Sequence, residues 1–248
     1  MAMSDTRIAT HTVDVRRSGP VGDVELESAR GLFGAVVARH ELSGGVRVRL
    51  TAGPCPGGPL LVQANLRVFG APARIQVTGR DPAMALAAGA VRLDRQVRRL
   101  STAWEPWPWP DPERRALAVP GRAVITRRKP VRLYRRRSCQ AGAHLAAMDY
   151  DAYLFTDAET GEDALVHRAG PTGLQLSRQR SMHPDHSFGT PAPTVNPRRT
   201  PVLTPADAAA RMAEGWLPFL FFTDPATGRG NLVYRRYDGG AGLVTPAA

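Results

Sequence analysis

At 248 residues, with 43% of them apolar and 22% charged, the chain can bury real cores. Its 24 glycines and 22 prolines predict several small units, three globular pieces in all, joined by linkers. The formal charge is +11, and because Lys129 is the only lysine the positive charge is almost wholly guanidinium, which grips phosphate through a planar fork and stacks on bases. Two isolated cysteines, Cys55 and Cys139, exclude a disulfide framework and a CxxC zinc pair. No run approaches the ~18 apolar residues of a membrane span, and residues 1–11 lack the apolar core of a signal peptide. The expectation is a soluble cytoplasmic protein with a nucleic-acid partner, no membrane contact, no cofactor and no metal.

The first predicted element is a short alternating strand at Val13 and Val15, followed by a helix whose periodic pattern runs through Leu26, Ala29, Phe33, Val37 and His40. Three alternating strands come next, at Val46, Val48 and Leu50, at Val62, Ala64, Leu66 and Val68, and at Ile75 and Val77. Gly57-Gly58 and Gly70-Ala71-Pro72 supply the turns. Their opposite faces carry Arg47, Arg49, Gln63, Asn65, Arg67, Arg74 and Gln76. Asp81-Pro82 opens a second helix as N-cap and N1, and Leu86, Ala90, Leu93, Val97 and Leu100 form its apolar stripe, with Arg92, Arg95, Arg98 and Arg99 away from it. The order is β-α-β-β-β-α, an α+β domain over 1–102 with two helices on one face of a four-stranded sheet. Its exposed arginines, with Arg80, make a candidate rRNA-facing surface.

Residues 103–121, containing Trp104-Glu105-Pro106-Trp107-Pro108-Trp109-Pro110, read as an extended linker whose tryptophans are suited to stack on bases or to pack against a domain, with packing favoured. From Arg122 to Arg137 there are eight basic residues and no acid: Arg122, Arg127, Arg128, Lys129, Arg132, Arg135, Arg136 and Arg137. Eight uncompensated cations favour contact with phosphates.

The C-terminal half carries one module twice. Tyr153-Leu154-Phe155-Thr156-Asp157-Ala158-Glu159-Thr160-Gly161 recurs 67 residues later as Leu220-Phe221-Phe222-Thr223-Asp224-Pro225-Ala226-Thr227-Gly228, and Leu165-Val166-His167-Arg168 recurs as Leu232-Val233-Tyr234-Arg235. Each copy reads as a short helix, a strand, an Asp-x-x-Thr-Gly turn and further strands. The copies span 122–180 and 198–248, with a Pro/His/Ser-rich linker at 181–197. A β-rich unit of ~45–50 residues is too small to close a good core and leaves its edges open, so each copy needs the other. The residues expected to pair the copies are Tyr153, Phe155, Leu165, Phe219, Phe221, Val233 and Tyr234.

Asp224-Pro225-Ala226-Thr227-Gly228, then Asn231-Leu232-Val233-Tyr234-Arg235-Arg236-Tyr237-Asp238-Gly239 and Gly242-Leu243-Val244, resembles the C-terminal domain of long ribosome hibernation-promoting factors. The β-α-β-β-β-α domain ending in Asp94-Arg95-Gln96-Val97-Arg98-Arg99-Leu100 is similar to the N-terminal domain of that family. The resemblance implies a non-enzymatic factor that binds the small ribosomal subunit, touching 16S rRNA and adjacent ribosomal proteins in the mRNA/tRNA channel and blocking the decoding centre. Long members with a single C-terminal domain join two ribosomes by dimerising. A variant known from mycobacteria and related actinobacteria, linked to hypoxia, carries that domain twice, which implies pairing within the chain and silent 70S monosomes. The first copy departs from the motif, with Ala164 for Asn231, His167 for Tyr234 and Gly170-Pro171-Thr172 for the Tyr-Asp-Gly-Gly turn. The first N-terminal helix carries only Arg30 and Arg39.

Two other readings compete. His183-Pro184-Asp185-His186 has residue types that bind metal or relay protons, but it sits in a proline-rich linker without the rigid support a site needs. A DNA-binding or transcription-modulating protein fits the charge, but no helix-turn-helix or zinc-finger spacing supports it.

Overall fold

Alternating apolar and polar residues give a strand one face to bury, and in the first unit that face is covered by two helices. In a computed structural model describing residues 12–53, 58–103, 124–169, 172–186 and 192–247, the chain divides into units 1–102 and 103–248. Cys55, Gly57, the tryptophan–proline segment, Arg122, Gly170 and Pro171 lie outside the described residues.

The first unit runs β1 (Val13–Ser18), α1 (Asp23–Arg39), β2 (Val46–Ala52), β3 (Leu60–Val68), β4 (Ala71–Gly79) and α2 (Pro82–Leu100). The sheet order is β1-β2-β3-β4, with β1 parallel to β2 and the other pairs antiparallel. Asp81 caps α2 by accepting from the Met84 amide at 2.8 Å, and Pro82 stands where a missing N–H costs nothing. Phe33 and Val37 of α1, Leu86 and Leu93 of α2, and Val48, Leu50, Val62 and Ile75 of the sheet close one core. Gly89 lets α2 settle onto it, since a Cβ there would come within 3.1 Å of both Phe33 and Val62.

The second unit comprises β5 (Ile125–Val131), β6 (Arg135–Arg136), α3 (Ser138–Ala147), β7 (Ala152–Asp157), β8 (Asp163–His167), β9 (Gln175–Arg178), β10 (Thr194–Val195), α4 (Pro205–Glu214), β11 (Phe219–Thr223), β12 (Gly230–Arg235) and β13 (Ala241–Pro246). The two Asp-x-x-Thr-Gly turns are built alike. Gly161 (φ +74°) and Gly228 (φ +67°) take the left-handed backbone each turn needs, and their amides donate to the Asp157 and Asp224 carbonyls at 2.8 Å.

The division at 122–180 and 198–248 misses how the sheets are completed. One sheet is β10-β9-β8-β7-β6 and the other is β11-β12-β13-β5. The lead-in strand β5 pairs in parallel with β13 of the second copy, and β10, from the expected linker, pairs in parallel with β9 of the first. The exchange is reciprocal to the residue: Arg128 lies opposite Leu243, and Val195, 67 positions on from Arg128, lies opposite Leu176, 67 positions before Leu243. Each copy's open edge takes up the lead-in strand of the other, satisfying backbone groups that a lone copy leaves unpaired.

Candidate nucleic-acid interface

The sheet of the first unit has one face under the helices and one free of them. Strand register sets the second face in cross-strand rows, one running Asp14, Arg47, Asn65, Arg74 and the next Arg16, Arg49, Gln63, Gln76. Arg16, Arg47, Arg49 and Arg67 are exposed and Arg74 is half-buried. Asp14 is the one carboxylate among the strand residues of this face, and it pairs with Arg16 at 3.2 Å. Arg16 and Arg49 stand opposite each other on neighbouring strands, a like-charge pair that Asp14 relieves only at Arg16. Arg16 was missed in the sequence, although the alternation of Val13 and Val15 that defines β1 places it outward.

The helical arginines lie on the other side of the same two-layer unit. Arg95 is exposed and Arg99 half-buried. Arg98 is tied to Asp94 at 2.9 Å in a cluster that includes Arg39 Nη1 at 3.0 Å and His40 Nε2 at 2.9 Å. Burial pushes the Asp94 carboxyl up, but the hydrogen bonds from His40 and Arg39 and the Arg98 charge outweigh it and hold the group below the usual carboxylate range. Arg92 does not belong to the surface. It is only 1% exposed, because α2 buries a second stripe of Ala85, Gly89, Arg92 and Gln96 beside the expected one. Arg80, between β4 and α2, is exposed.

In the second unit Arg127, Arg128, Arg132, Arg135 and Arg137 are exposed, and Lys129 and Arg136 are half-buried against rings, 5.9 Å from the centroid of Tyr234 and 5.4 Å from that of Tyr134. Because β5 belongs to the second copy's sheet while β6 belongs to the first, the basic run is carried by both copies.

The residues expected to pair the copies divide between two faces. Leu165, Phe221 and Phe219 meet in one apolar cluster with Leu154, Leu232, Leu133, Ala152 and Val244. Tyr153 and Phe155 face α3 and Val233 faces α4, each packing the core of its own copy. Tyr234 is half-buried on the same face as Phe219, opposite it in register. The period-two rule together with the 67-residue offset explains the correction, since Leu154, not Phe155, is the counterpart of Phe221. Each buried Leu or Phe of the cluster contributes roughly 2 kcal/mol. Polar contacts span the same copies: Arg229 reaches Asp163 at 2.7 and 3.2 Å, and Gln179 Nε2 donates to Thr223 Oγ1 and the Gly228 carbonyl at 3.0 Å. His167, edge-on to Phe219 at 5.4 Å, is pushed down to about 4 by burial, against a hydrogen bond to Gln175 that raises it.

The linker histidines are held by internal partners. Fully buried Arg178 binds Asp157 at 2.6 Å, Glu159 at 3.0 Å, Asp185 at 3.4 Å and the His183 carbonyl at 2.9 Å. Ser138 donates to Asp185, and His186 Nδ1 lies 2.7 Å from Glu159, whose carboxyl that hydrogen bond holds down to about 2. Among the described residues, no three His, Cys, Asp or Glu side chains gather as a metal site, and no helix is long and apolar enough to cross a membrane.

Residues 197–243 match the family described as sigma 54 modulation/S30EA ribosomal protein C terminus. The chain is 51% identical over 243 residues to the "Dormancy associated translation inhibitor" of Mycobacterium tuberculosis strains CDC 1551 and H37Rv, covering 94% of this chain and 88% of that protein. The chain belongs to the long ribosome hibernation-promoting factor family. Two solved structures share a weaker likeness, a ribosomal subunit interface protein from Coxiella burnetii (13% identity, TM-score 0.31, covering 36% of this chain and 96% of that one) and the N-terminal domain of Thermus thermophilus Protein Y (15%, 0.30, 36% and 93%).

As a member of a family of ribosome-associated, translation-inhibiting factors, this hibernation factor is not an enzyme. Several of its motif residues are structural. The motif arginine Arg235 donates from Nε to the Leu217 carbonyl at 2.8 Å and from Nη2 to the last carbonyls of α4 at 3.2 Å. Its counterpart Arg168 donates to the Tyr150 carbonyl at 3.0 Å. Gly242 is required because the Tyr234 ring lies over it, and a Cβ there would fall 2.3 Å from that ring. Part of the arginine excess therefore holds the fold, while the exposed arginines of β1–β4 and of residues 127–137 remain as the charged surface.

Proposed function

We propose that the chain is a cytoplasmic hibernation factor that silences single ribosomes. The N-terminal unit docks in the mRNA/tRNA channel of the small subunit, with Arg16, Arg47, Arg49, Arg67 and Arg74 on 16S rRNA phosphates, and excludes mRNA and tRNA from the decoding centre. Exposed Arg80, Arg95 and Arg99, and the basic run carried by β5 and β6, add further phosphate contacts. Inhibition is occlusion, with no bond made or broken, and it serves dormancy under stress such as hypoxia. The C-terminal copies pair within the chain, so the factor stabilises inactive 70S monosomes and does not join two ribosomes. One observation supports this most: the β13 and β9 edges each take up the other copy's lead-in strand and the apolar face of each copy covers that of the other, so the surfaces a lone copy would offer there to a second chain are already engaged. The test is sedimentation of the factor with 70S ribosomes while tRNA binding to the small subunit is followed. The factor is expected in the 70S fractions, with tRNA displaced in proportion. A factor that stays at the top of the gradient, or binds without displacing tRNA, overturns the reading.

A further inference from the structure

The two copies differ at the point where they meet most closely. Asp163 begins β8 and Gly230, 67 residues later, begins β12, so they are counterparts, yet they also touch: a Cβ on Gly230 would sit 2.7 Å from the Asp163 Cβ. In a pairing of like units, a position that meets its own counterpart lies on the symmetry axis, and in a homodimer that residue would meet itself. Here the meeting is unlike. Asp163 is 4% exposed, and its carboxylate accepts from the Gly230 amide at 2.9 Å and from Arg229 at 2.7 and 3.2 Å. The counterpart of Arg229 in the first copy is Glu162.

We infer that Asp163, with Gly230 and Arg229, is a specificity element that makes the first copy accept the second and refuse its own kind. Self-pairing of two first copies would bring Asp163 against Asp163, two carboxylates where one now sits, with Glu162 held by Arg180 of its own copy at 3.7 Å. Buried like charges are strongly unfavourable, and the position that supplies Arg229 is Glu162 in the first copy, so the guanidinium that meets Asp163 would be absent. Self-pairing of two second copies would put Gly230 on Gly230, which clashes with nothing but leaves each Arg229 without its carboxylate. Only the unlike pair is both uncrowded and charge-matched. The neighbouring apolar position follows the same division: Phe221 lies 2.8 Å from where a Gly230 Cβ would be, so the copy with the large ring needs glycine, while its counterpart Leu154 is smaller beside Asp163. The inference rests on the intramolecular pairing proposed above and adds its selectivity, which prevents chains on separate ribosomes from joining through their first copies.

The test uses the full chain with Phe221→Leu as the reference, which makes room beside position 230. Unfolding of the C-terminal unit in urea at pH 7 is compared for the reference, for Phe221→Leu/Gly230→Asp and for Phe221→Leu/Gly230→Asp/Asp163→Gly. Two carboxylates on the axis are expected to lower the pairing equilibrium by at least tenfold, and removing one by Asp163→Gly to recover most of the loss. Equal stability of the first two proteins overturns the inference. So does a third protein as unstable as the second, since crowding within the second copy alone would be indifferent to residue 163. Wild-type factor driving ribosomes into dimers would instead sink the pairing reading, whatever these variants do.

Discussion

The sheet of the N-terminal unit and the two C-terminal sheets share a plan, helix on one face and strands alternating beneath it, but differ in what the second face carries. In β2–β4 the outward positions are Arg47, Arg49, Asn65, Arg67 and Arg74. In β7, β8, β11 and β12 they are Leu154, Leu165, Phe221 and Leu232. The same period-two pattern thus makes one sheet a surface that calls for anions and the other two a surface that calls for each other. Fold supplies the scaffold, and the second face decides whether it stays open as a charged surface or closes on itself.

The largest effect expected from breaking this contrast is Leu165→Asp. An unpaired carboxylate in the inter-copy cluster should cost about 4 kcal/mol and unfold the C-terminal unit at lower urea. An unchanged urea midpoint would remove Leu165 from the contact that holds the copies together. Acid acts next on the same cluster. His167 is neutral when folded and titrates at about 4, below its unfolded value of 6.5, so the unfolded chain binds the extra proton as pH falls. C-terminal stability is therefore fully present above pH 6.5 and falls between 6.5 and 4, by on the order of 3 kcal/mol at most at roughly 1.4 kcal/mol per unit. His144, lowered by burial and by the Arg136 charge, adds a contribution of the same sign. His167→Gln should flatten most of the slope in urea midpoints measured at pH 7.5 and 4.5, and an unchanged slope would remove His167 as its source.

On the open face, Arg47→Ala with Arg49→Ala is expected to weaken ribosome binding by roughly tenfold to a hundredfold and to reduce its dependence on salt by about one to two phosphate contacts, with the melting temperature unchanged. Binding that survives with its salt dependence intact would move the RNA surface elsewhere. The smallest effect is Arg98→Ala. Asp94 keeps Arg39 and His40, so a loss of about 0.5 kcal/mol is expected in thermal unfolding.

What the sequence made legible was local. Asp81-Pro82, the alternation of β2–β4 and the apolar stripe of α2 lead directly to the N-terminal unit, and a repeated Asp-x-x-Thr-Gly turn is visible without coordinates. Arg92 was not legible, because one heptad stripe does not reveal that a helix laid over Phe33 and Val62 buries a second row through Gly89. The exchange of β5 and β10 was hidden for a different reason: it joins segments more than a hundred residues apart in one case, and nothing in a two-residue strand such as Thr194-Val195 names its partner. The pairing face was readable in principle, since carrying Phe221 back 67 positions gives Leu154, whereas choosing Tyr153 and Phe155 selects the face that α3 covers.

The central claim is that pairing within the chain keeps ribosomes single. It is tested most directly by sucrose-gradient profiles of 70S ribosomes with the full chain and with a chain lacking residues 124–191, which leaves the second copy and its lead-in β10 alone. Gly230 opposite Gly230 raises no clash, and although each Arg229 goes without its carboxylate it can turn to solvent, so the shortened factor is predicted to produce ribosome dimers where the full chain gives only monosomes. Dimers with the full chain, or monosomes alone with both, would contradict it.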